Sequence, residues 1–148
     1  MTVMNLEKYK ILALVAPEFE DLEFWVPVFR LREEGAQVII AGAKASETYK
    51  GKGGLLATSD VSFNGVEADE FDGLIIPGGW APDKLRRYDS VKYLVHALNQ
   101  RHKIIGMICH AGLVGITLLW RHHQRFTGHD SFKRHELPAS IHCRVESY

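Results

Sequence analysis

This 148-residue chain contains few cysteines, no long apolar runs and no excess of positive or negative charge. Two cysteines cannot build a disulfide framework and lack the paired spacing of a structural zinc site, so we expect a reducing compartment. No segment has the apolar length of a signal peptide or a membrane span. Lys and Arg total 18, as do Asp and Glu, so no net field would attract nucleic acid or an anionic membrane. The sequence predicts a cytoplasmic protein with small substrates or protein partners.

Four short apolar runs predict buried strands: residues 11–16, 38–41, 74–76 and 104–108. Continuous apolar runs suit strands that are covered on both faces, as in parallel sheets. Helical patterns lie between these runs, and the alternation of strand and helix predicts an α/β sandwich with a mostly parallel sheet. The length of the chain fits a single domain.

Two helical patterns separate the predicted strands. In the first, four apolar residues recur at helical spacing: Leu22, Trp25, Val26 and Phe29. Pro27 lies within this pattern and should kink the helix or end its first segment, because proline lacks a backbone donor and clashes with the preceding turn. The second apolar stripe consists of Val91, Leu94, Val95 and Leu98. Asp89 and Ser90 precede that stripe as candidate N-caps.

Gly51, Gly53 and Gly54 lie between two short β-prone pieces of residues 42–60. This pattern predicts a hairpin with a glycine-rich turn. The glycines lack the spacing and the following helix of a phosphate-binding loop. We therefore interpret them as turn residues.

The most informative segment is Cys109-His110-Ala111-Gly112, where the last apolar run gives way to small residues. A strand, a turn and a helix in this order hold a nucleophile clear of a sheet edge. Backbone N–H groups and a helix N-terminus beside Cys109 would favour thiolate over thiol. The alternative is a buried, inert thiol, the usual state of a free cysteine in a core. Cys143 has no comparable setting and is interpreted as incidental.

Polar residues and glycines follow three of the predicted strands. Glu20, the pair Gly78 and Gly79, and Cys109 each come just after a strand end. In open α/β sheets, sites gather outside the carboxyl ends of the strands. We therefore expect these residues to meet at one edge of the sheet.

Three segments, residues 16–23, 75–83 and 108–110, resemble in order and spacing the signature segments of the ThiJ/PfpI family. The similarity is greatest to the intracellular protease branch of that family. The resemblance implies a flavodoxin-like three-layer sandwich whose cysteine nucleophile sits in a strained elbow.

The resemblance also divides the single domain into three parts. Residues 1–9 form an N-terminal extension, residues 10–119 match well, and residues 120–148 diverge. We expect the divergent segment to lack the last strands and the closing helix of family members. Uncovered sheet faces and edges favour association, and the resemblance implies a homo-oligomer, either a dimer or a hexamer.

By position, the resemblance implies that Cys109 is the nucleophile and that Glu20 is the acidic residue that assists it. A protonated Glu20 carboxyl would donate a hydrogen bond to the Cys109 thiolate and stabilise it. The alternative is that Glu20 only caps the first helix.

His110 corresponds to the base of the protease branch, which is oriented by an acid from an adjoining subunit. Asp83 matches the position of that acid, where a longer Glu is expected, so a water would bridge the gap. The alternative is that Asp83 complements the dipole of a short helix after Pro82.

The backbone amides of Gly79 and His110 correspond to the oxyanion hole that the resemblance implies. Gly78 permits a close backbone approach, and Trp80 is a candidate wall for the substrate. The alternative is an ordinary glycine turn after a strand.

The histidines at and after the predicted nucleophile are His110, His122, His123, His129, His135 and His142. None of their spacings gives two ligands on one helix face beside a glutamate, and acidic partners are sparse. The sequence therefore predicts neither a metal nor a cofactor.

Three functions are compatible with these residues. The leading hypothesis is a cysteine-dependent protease or amidase, in which Cys109 attacks a carbonyl and His110 moves protons. The resemblance also implies a glyoxalase III or deglycase reaction, in which Cys109 forms a hemithioacetal with a 2-oxoaldehyde and Glu20 moves the proton. A third hypothesis is a redox-sensing, chaperone-like stress protein without turnover, because an accessible thiolate oxidises readily.

Overall fold

The computed structural model describes residues 5–119, which form a parallel sheet with helices packed against it. The strands within these residues are β1 (Lys10–Leu14), β2 (Gln37–Gly42), β3 (Thr48–Lys50), β4 (Leu56–Thr58), β5 (Val61–Ser62), β6 (Gly73–Ile76) and β7 (Ile104–Met107). The helices are α1 (Asp21–Glu33), α2 (Ala81–Leu85), α3 (Asp89–Gln100) and α4 (Gly112–Leu119). The predictions for residues 120–148, including those for Cys143 and the histidines of that segment, lie outside the described residues.

Five strands form the main sheet in the order β5-β2-β1-β6-β7, and every pairing in it is parallel. The predicted α/β fold with a mostly parallel sheet is therefore confirmed. Strand β5 was not predicted, because two residues are too few to show a hydrophobic pattern. Strands β3 and β4 form a separate antiparallel hairpin.

The hydrophobic core lies on both faces of the central strands. Strand β6 is buried along its whole length, and Leu12 and Leu14 of β1 are fully buried. The second predicted stripe is confirmed, because Val91, Leu94, Val95 and Leu98 of α3 are all buried. No helix within residues 5–119 is long and apolar enough to cross a membrane.

Helix α1 buries a different face from the one marked by its apolar spacing. Phe24 and Val28 are buried, whereas Leu22, Val26 and Phe29 are 58% to 65% exposed. Because apolar residues occur on every side of this helix, spacing alone does not identify its inner face. The predicted helix is confirmed, but three residues of the predicted stripe face outward, and only Trp25, which is partly buried, packs against the core.

Of the two outcomes expected at Pro27, a kink or an end of the first helical segment, the end does not occur. Helix α1 runs from Asp21 to Glu33, because the burial of residues on both sides of the proline stabilises a continuous helix. The predicted N-caps of α3 are wrong. Helix α3 begins after Tyr88, without a side-chain cap. Ser90 instead bonds through its hydroxyl to Asn64 Oδ1 at 2.7 Å.

The predicted glycine-rich hairpin is confirmed, and its turn binds a buried carboxylate. Asp21, which is 6% exposed, accepts hydrogen bonds from Gly53 N at 2.5 Å and from Leu55 N at 2.6 Å. A Cβ at Gly51 would lie 2.6 Å from Asp21 Oδ1, so only glycine permits this approach. The turn therefore attaches the hairpin to the start of α1.

Candidate active site

Cys109 lies where the chain leaves β7 and enters a one-turn 3-10 helix that leads into α4. Its φ angle is +53°, a left-handed conformation that costs a non-glycine residue about 1–3 kcal/mol. The side chain is exposed. The strained turn therefore presents the thiol to solvent, and the alternative of a buried thiol is wrong.

His110 is in contact with the thiol of its neighbour. Cys109 Sγ lies 3.3 Å from His110 Nδ1. At this distance the imidazole can take a proton from the thiol or return it. Both side chains are exposed, so an incoming substrate can reach them.

Gly78 brings the end of β6 against Cys109. The hydrogen bond from Ile108 N to Ile76 O, 3.2 Å long, extends the pairing of β6 and β7 to this point. A Cβ at Gly78 would lie 2.9 Å from Cys109 Cβ and would overlap the Glu23 carboxylate. Glycine is therefore required here for the two strand ends to approach.

Glu23 is the carboxylate that the structure places beside Cys109. Glu23 Oε2 accepts a hydrogen bond from Gly78 N at 2.9 Å, which leaves the second carboxylate oxygen outside that bond. Because a Cβ at Gly78 would meet both Glu23 and Cys109, these two side chains border the same small space. Sequence reasoning missed this residue.

A signal for Glu23 was present in the sequence. Glu23 is the third residue of α1, and a Glu at that position usually folds back to the backbone N–H of the cap residue. Here the N–H of the cap residue Glu20 donates to Gly78 O instead, at 3.2 Å. The Glu23 side chain is therefore available to reach across to the end of β6.

Glu20 caps α1, which is the alternative considered from the sequence. Glu20 Oε2 accepts hydrogen bonds from Leu22 N at 3.0 Å and from Glu23 N at 3.3 Å. Its carboxylate is thus turned toward the first amides of the helix, and no hydrogen bond joins it to Cys109 within the described residues. The structure thus places the Glu23 carboxylate, and not that of Glu20, beside Cys109, and the role of Glu20 as the assisting acid stays a prediction.

Asp83 lies in the first turn of α2, as the second interpretation of this residue required. Its carboxylate accepts hydrogen bonds from Arg86 Nε at 2.8 Å and from Arg87 Nη2 at 2.6 Å. The Arg86 guanidinium, together with Arg87, lowers the pKa of the Asp83 carboxyl, so the group is ionised at neutral pH. Contact of Asp83 with His110 across a subunit interface stays a prediction.

Gly79 and His110 are positioned to offer backbone donors. Gly79 has a φ of +74°, and a Cβ there would lie 2.7 Å from Glu18 O. The adjoining amide, Trp80 N, donates to Glu18 O at 3.0 Å, whereas Gly79 N donates no hydrogen bond within residues 5–119. His110 N lies in the first turn of a helix, where amides lack an intrahelical acceptor. Trp80, the residue after Gly79, is 62% exposed.

The arrangement brings together a thiol, an imidazole and a carboxylate at the carboxyl edge of a parallel sheet, beside backbone N–H groups that have no acceptor within residues 5–119. Within residues 5–119 no group of three or more His, Cys, Asp or Glu side chains could hold a metal ion. These features define an α/β protein of the nucleophile-elbow class.

A model of the DJ-1/PfpI family matches residues 9–143. The chain therefore belongs to the DJ-1/PfpI family, which confirms the resemblance found in the three signature segments. A two-domain protein of Anabaena variabilis with DJ-1/ThiJ/PfpI-like and ferritin-like domains superposes with a TM-score of 0.71 and 36% identity, over 73% of this chain and 31% of that one.

Several curated relatives are named deglycases, and two of them illustrate the extent of the similarity. One from Pyrococcus abyssi is 32% identical over 132 residues, or 89% of this chain and 79% of that protein. Deglycase PfpI of Pyrococcus furiosus is 40% identical over 101 residues, which is 68% of this chain. That match spans 60% of the length of the Pyrococcus furiosus protein, less than two thirds of it.

Proposed function

We propose that this protein acts through Cys109 on small 2-oxoaldehydes and their adducts, as an enzyme of the glyoxalase III or deglycase type in a reducing, cytoplasmic compartment. The observation that carries the proposal is the position of Cys109 and Glu23 on either side of Gly78. The relatives that are named deglycases support the same class of reaction.

The first step is attack of the Cys109 thiolate on the aldehyde carbon of the substrate. A sulfur–carbon bond forms, and the carbonyl electrons move onto oxygen to give a hemithioacetal after protonation. The amides of Gly79 and His110 stabilise the negative charge on that oxygen. His110, 3.3 Å from the thiol, accepts the thiol proton and supplies it to the oxygen.

Glu23 moves a proton in the second step. It removes the proton from the carbon bonded to sulfur, which gives an enediol, and a proton is returned to the neighbouring ketone carbon. The hydroxyl proton on the first carbon passes to the ketone oxygen, so that a carbonyl remains on the first carbon and a hydroxyl on the second. The first carbon is oxidised to a thioester while the second is reduced to an alcohol, so no external oxidant or reductant takes part. Water then cleaves the thioester, which releases a 2-hydroxy acid and regenerates Cys109.

A protease or amidase is the second candidate function, because a specific contact favours it. The Sγ–Nδ1 distance of 3.3 Å between Cys109 and His110 is that of a nucleophile and its base. In this reaction the Gly79 and His110 amides would stabilise a tetrahedral intermediate, and His110 would protonate the leaving amine. Gly78 and Trp80 would border a peptide or amide substrate.

We also propose that the protein is a homo-oligomer. Three apolar side chains on α1, those of Leu22, Val26 and Phe29, are exposed within the described residues. Trp25, which is partly buried, stacks on Phe29 with ring centroids 4.9 Å apart and so adjoins these exposed side chains. Exposed apolar surfaces of this kind are typical of subunit contacts, and a neighbouring subunit could bring Asp83 to His110.

Methylglyoxal is the probe that tests the proposed activity. We expect the wild-type protein to convert it to lactate and Cys109→Ala to lose at least ~10³-fold of the rate, because the covalent step is abolished. Cys143→Ala is the matched control and should retain the rate. Cleavage of peptide amides without lactate formation would select the protease function. If Cys109→Ala retained both lactate formation and peptide cleavage, both proposed functions would be contradicted.

A further inference from the structure

A cavity of about 440 Å³ lies at the carboxyl ends of β1 and β2, away from Cys109. Its polar and aromatic lining includes Lys44, Glu47, Tyr49, Lys84, Arg87 and Tyr88, and we refer to it as the β1–β2 cavity. Its volume is within the range of small-molecule sites. In the sheet, β6 separates β1 from β7, so two strand spacings, roughly 10 Å, lie between the end of β1 and the strand that carries the elbow.

Three basic side chains converge on the cavity from two walls. Lys44 follows β2 on one side, and Lys84 and Arg87 come from α2 and the residues after it on the other. Cations on opposite walls can bind a multiply charged anion between them, and Arg and Lys are the usual partners of phosphate.

Donor capacity remains on all three cations despite their acidic neighbours. Lys84 Nζ bonds to Pro17 O at 3.0 Å and to Glu18 Oε2 at 2.5 Å, which leaves one of its three donors. Arg87 uses two of its N–H groups on Asp83, through Nε and Nη2, which leaves three. The Lys44 ammonium has no hydrogen bond or ion pair within residues 5–119.

The floor of the cavity offers an acceptor that is held in place. Tyr49, 5% exposed, donates its hydroxyl to Glu47 Oε2 at 2.5 Å. Burial, reinforced by this hydrogen bond, raises the pKa of Tyr49, so the hydroxyl stays a donor at neutral pH. The second oxygen of Glu47 is outside that bond and can accept from a ligand hydroxyl.

An aromatic pair forms part of the wall. Tyr88 is 39% exposed and packs edge-on against the buried Phe63, with ring centroids 4.8 Å apart. Both residues line the cavity. A partly exposed ring fixed by a buried one is a surface on which a flat ligand ring can pack.

From this combination we infer that the β1–β2 cavity binds a phosphate monoester that carries hydroxyl groups and a flat ring, of the nucleoside monophosphate class. Lys44, Lys84 and Arg87 hold the phosphate, Glu47 accepts from hydroxyl groups, and Tyr88 contacts the ring. The site is separate from Cys109 and does not depend on the proposed carbonyl chemistry.

Binding of AMP to the full-length Cys109→Ala protein, measured by calorimetry and by amide shifts in NMR spectra, tests this inference. Adenosine, ribose 5-phosphate and inorganic phosphate serve as partial ligands. We expect AMP to bind at least about tenfold more tightly than adenosine or inorganic phosphate, because both the charged and the aromatic contacts contribute. The largest amide shifts should fall on residues that line the cavity.

Three variants distinguish AMP binding in the cavity from nonspecific attraction of AMP to positive charge. Lys44→Ala and Arg87→Ala should each raise the AMP dissociation constant about tenfold. Lys92→Ala, which also removes one positive charge but lies outside the cavity, should change it less than about twofold. Circular dichroism verifies that each variant is folded. No binding of AMP, equal binding of AMP and inorganic phosphate, or equal losses in all three variants would overturn the inference.

Discussion

Two regions at the carboxyl edge of the sheet differ in backbone strain and in how closely their side chains approach each other. At the ends of β6 and β7, the backbone is strained at Cys109 and the side chains are brought close by a buried glycine. At the ends of β1 and β2, an open cavity is lined by cations and aromatic rings, and Cys109 is not among its lining residues. The first arrangement suits bond formation, and the second suits reversible binding.

The loop between β1 and α1 connects these two regions. Pro17 lines the β1–β2 cavity, while Glu23, six residues later, reaches Gly78 beside Cys109. Glu18 has a φ of +62° in this loop and is held by Lys84. The strained loop and the first turn of the helix after it therefore supply residues to both regions.

The largest effect that would sharpen the comparison is expected from Glu23→Gln. The amide keeps an acceptor for Gly78 N but cannot move a proton, so kcat on methylglyoxal should fall by ~10²–10⁴-fold. Steady-state lactate formation provides the measurement. Glu20→Gln is the matched control, since Gln can still cap α1, and its effect should be far smaller. A greater loss in Glu20→Gln would restore the original assignment of the acid to Glu20.

A second substitution tests the close approach at Gly78. In Gly78→Ala the new Cβ must displace Cys109 or Glu23, and a shift of about 1 Å should cost ~10²-fold in rate. Gly65→Ala is the control, because a Cβ there meets nothing within 4 Å. Both variants are compared by lactate formation and by their thermal unfolding. Equal activities in the two variants would show that this contact does not position the reacting groups.

The pair Glu20 and Glu23 also shows how far the sequence leads. The strand ends, the hairpin and the elbow follow from apolar runs and glycines, because these patterns depend on local geometry. Which of two nearby carboxylates reaches Cys109 depends on whether Gly78 O accepts a hydrogen bond from the N–H of the cap residue, Glu20. These two residues are 58 positions apart in the chain. Such a contact leaves no periodic signal.

The outward face of α1 was mispredicted for a related reason. Leu22, Val26 and Phe29 have the spacing of a core stripe, yet Phe24 and Val28 are the residues that are buried. A helix with apolar residues all round has no unique inner face until it packs against the sheet. The exposed apolar residues of α1 are those from which we propose a subunit contact.

A smaller effect is expected on the attachment of the hairpin that contributes Tyr49 to the floor of the β1–β2 cavity. Asp21→Ala removes the acceptor of Gly53 N and Leu55 N, and should lower the free energy of unfolding by about 1–3 kcal/mol. Urea unfolding measures the change. Asp69→Ala, at an exposed position, should stay within about 0.5 kcal/mol of wild type. Equal stability of the two variants would contradict the role of the Asp21 carboxylate.

The smallest effect concerns the amino edge of the sheet, which neither site uses. Asp72 accepts from Lys10 N at 3.0 Å and from Lys103 Nζ at 2.9 Å. The Lys10 amide, with Lys103, lowers the pKa of Asp72, so its stabilising effect is present at neutral pH and is lost as the pH falls through that lowered pKa. Asp72→Asn should therefore lose less stability between pH 6 and pH 3 than wild type, as measured by urea midpoints. An unchanged pH dependence would argue against this linkage.

The central claim is that folding makes Cys109 a reactive nucleophile. Its most direct test is the rate of Cys109 alkylation by iodoacetamide at pH 7, with the labelled residue located by mass spectrometry, in the native protein and in protein unfolded by urea. We expect faster alkylation in the native protein, because the elbow exposes the thiol beside His110 and a helix N-terminus. Slower or equal alkylation in the native protein would contradict the account.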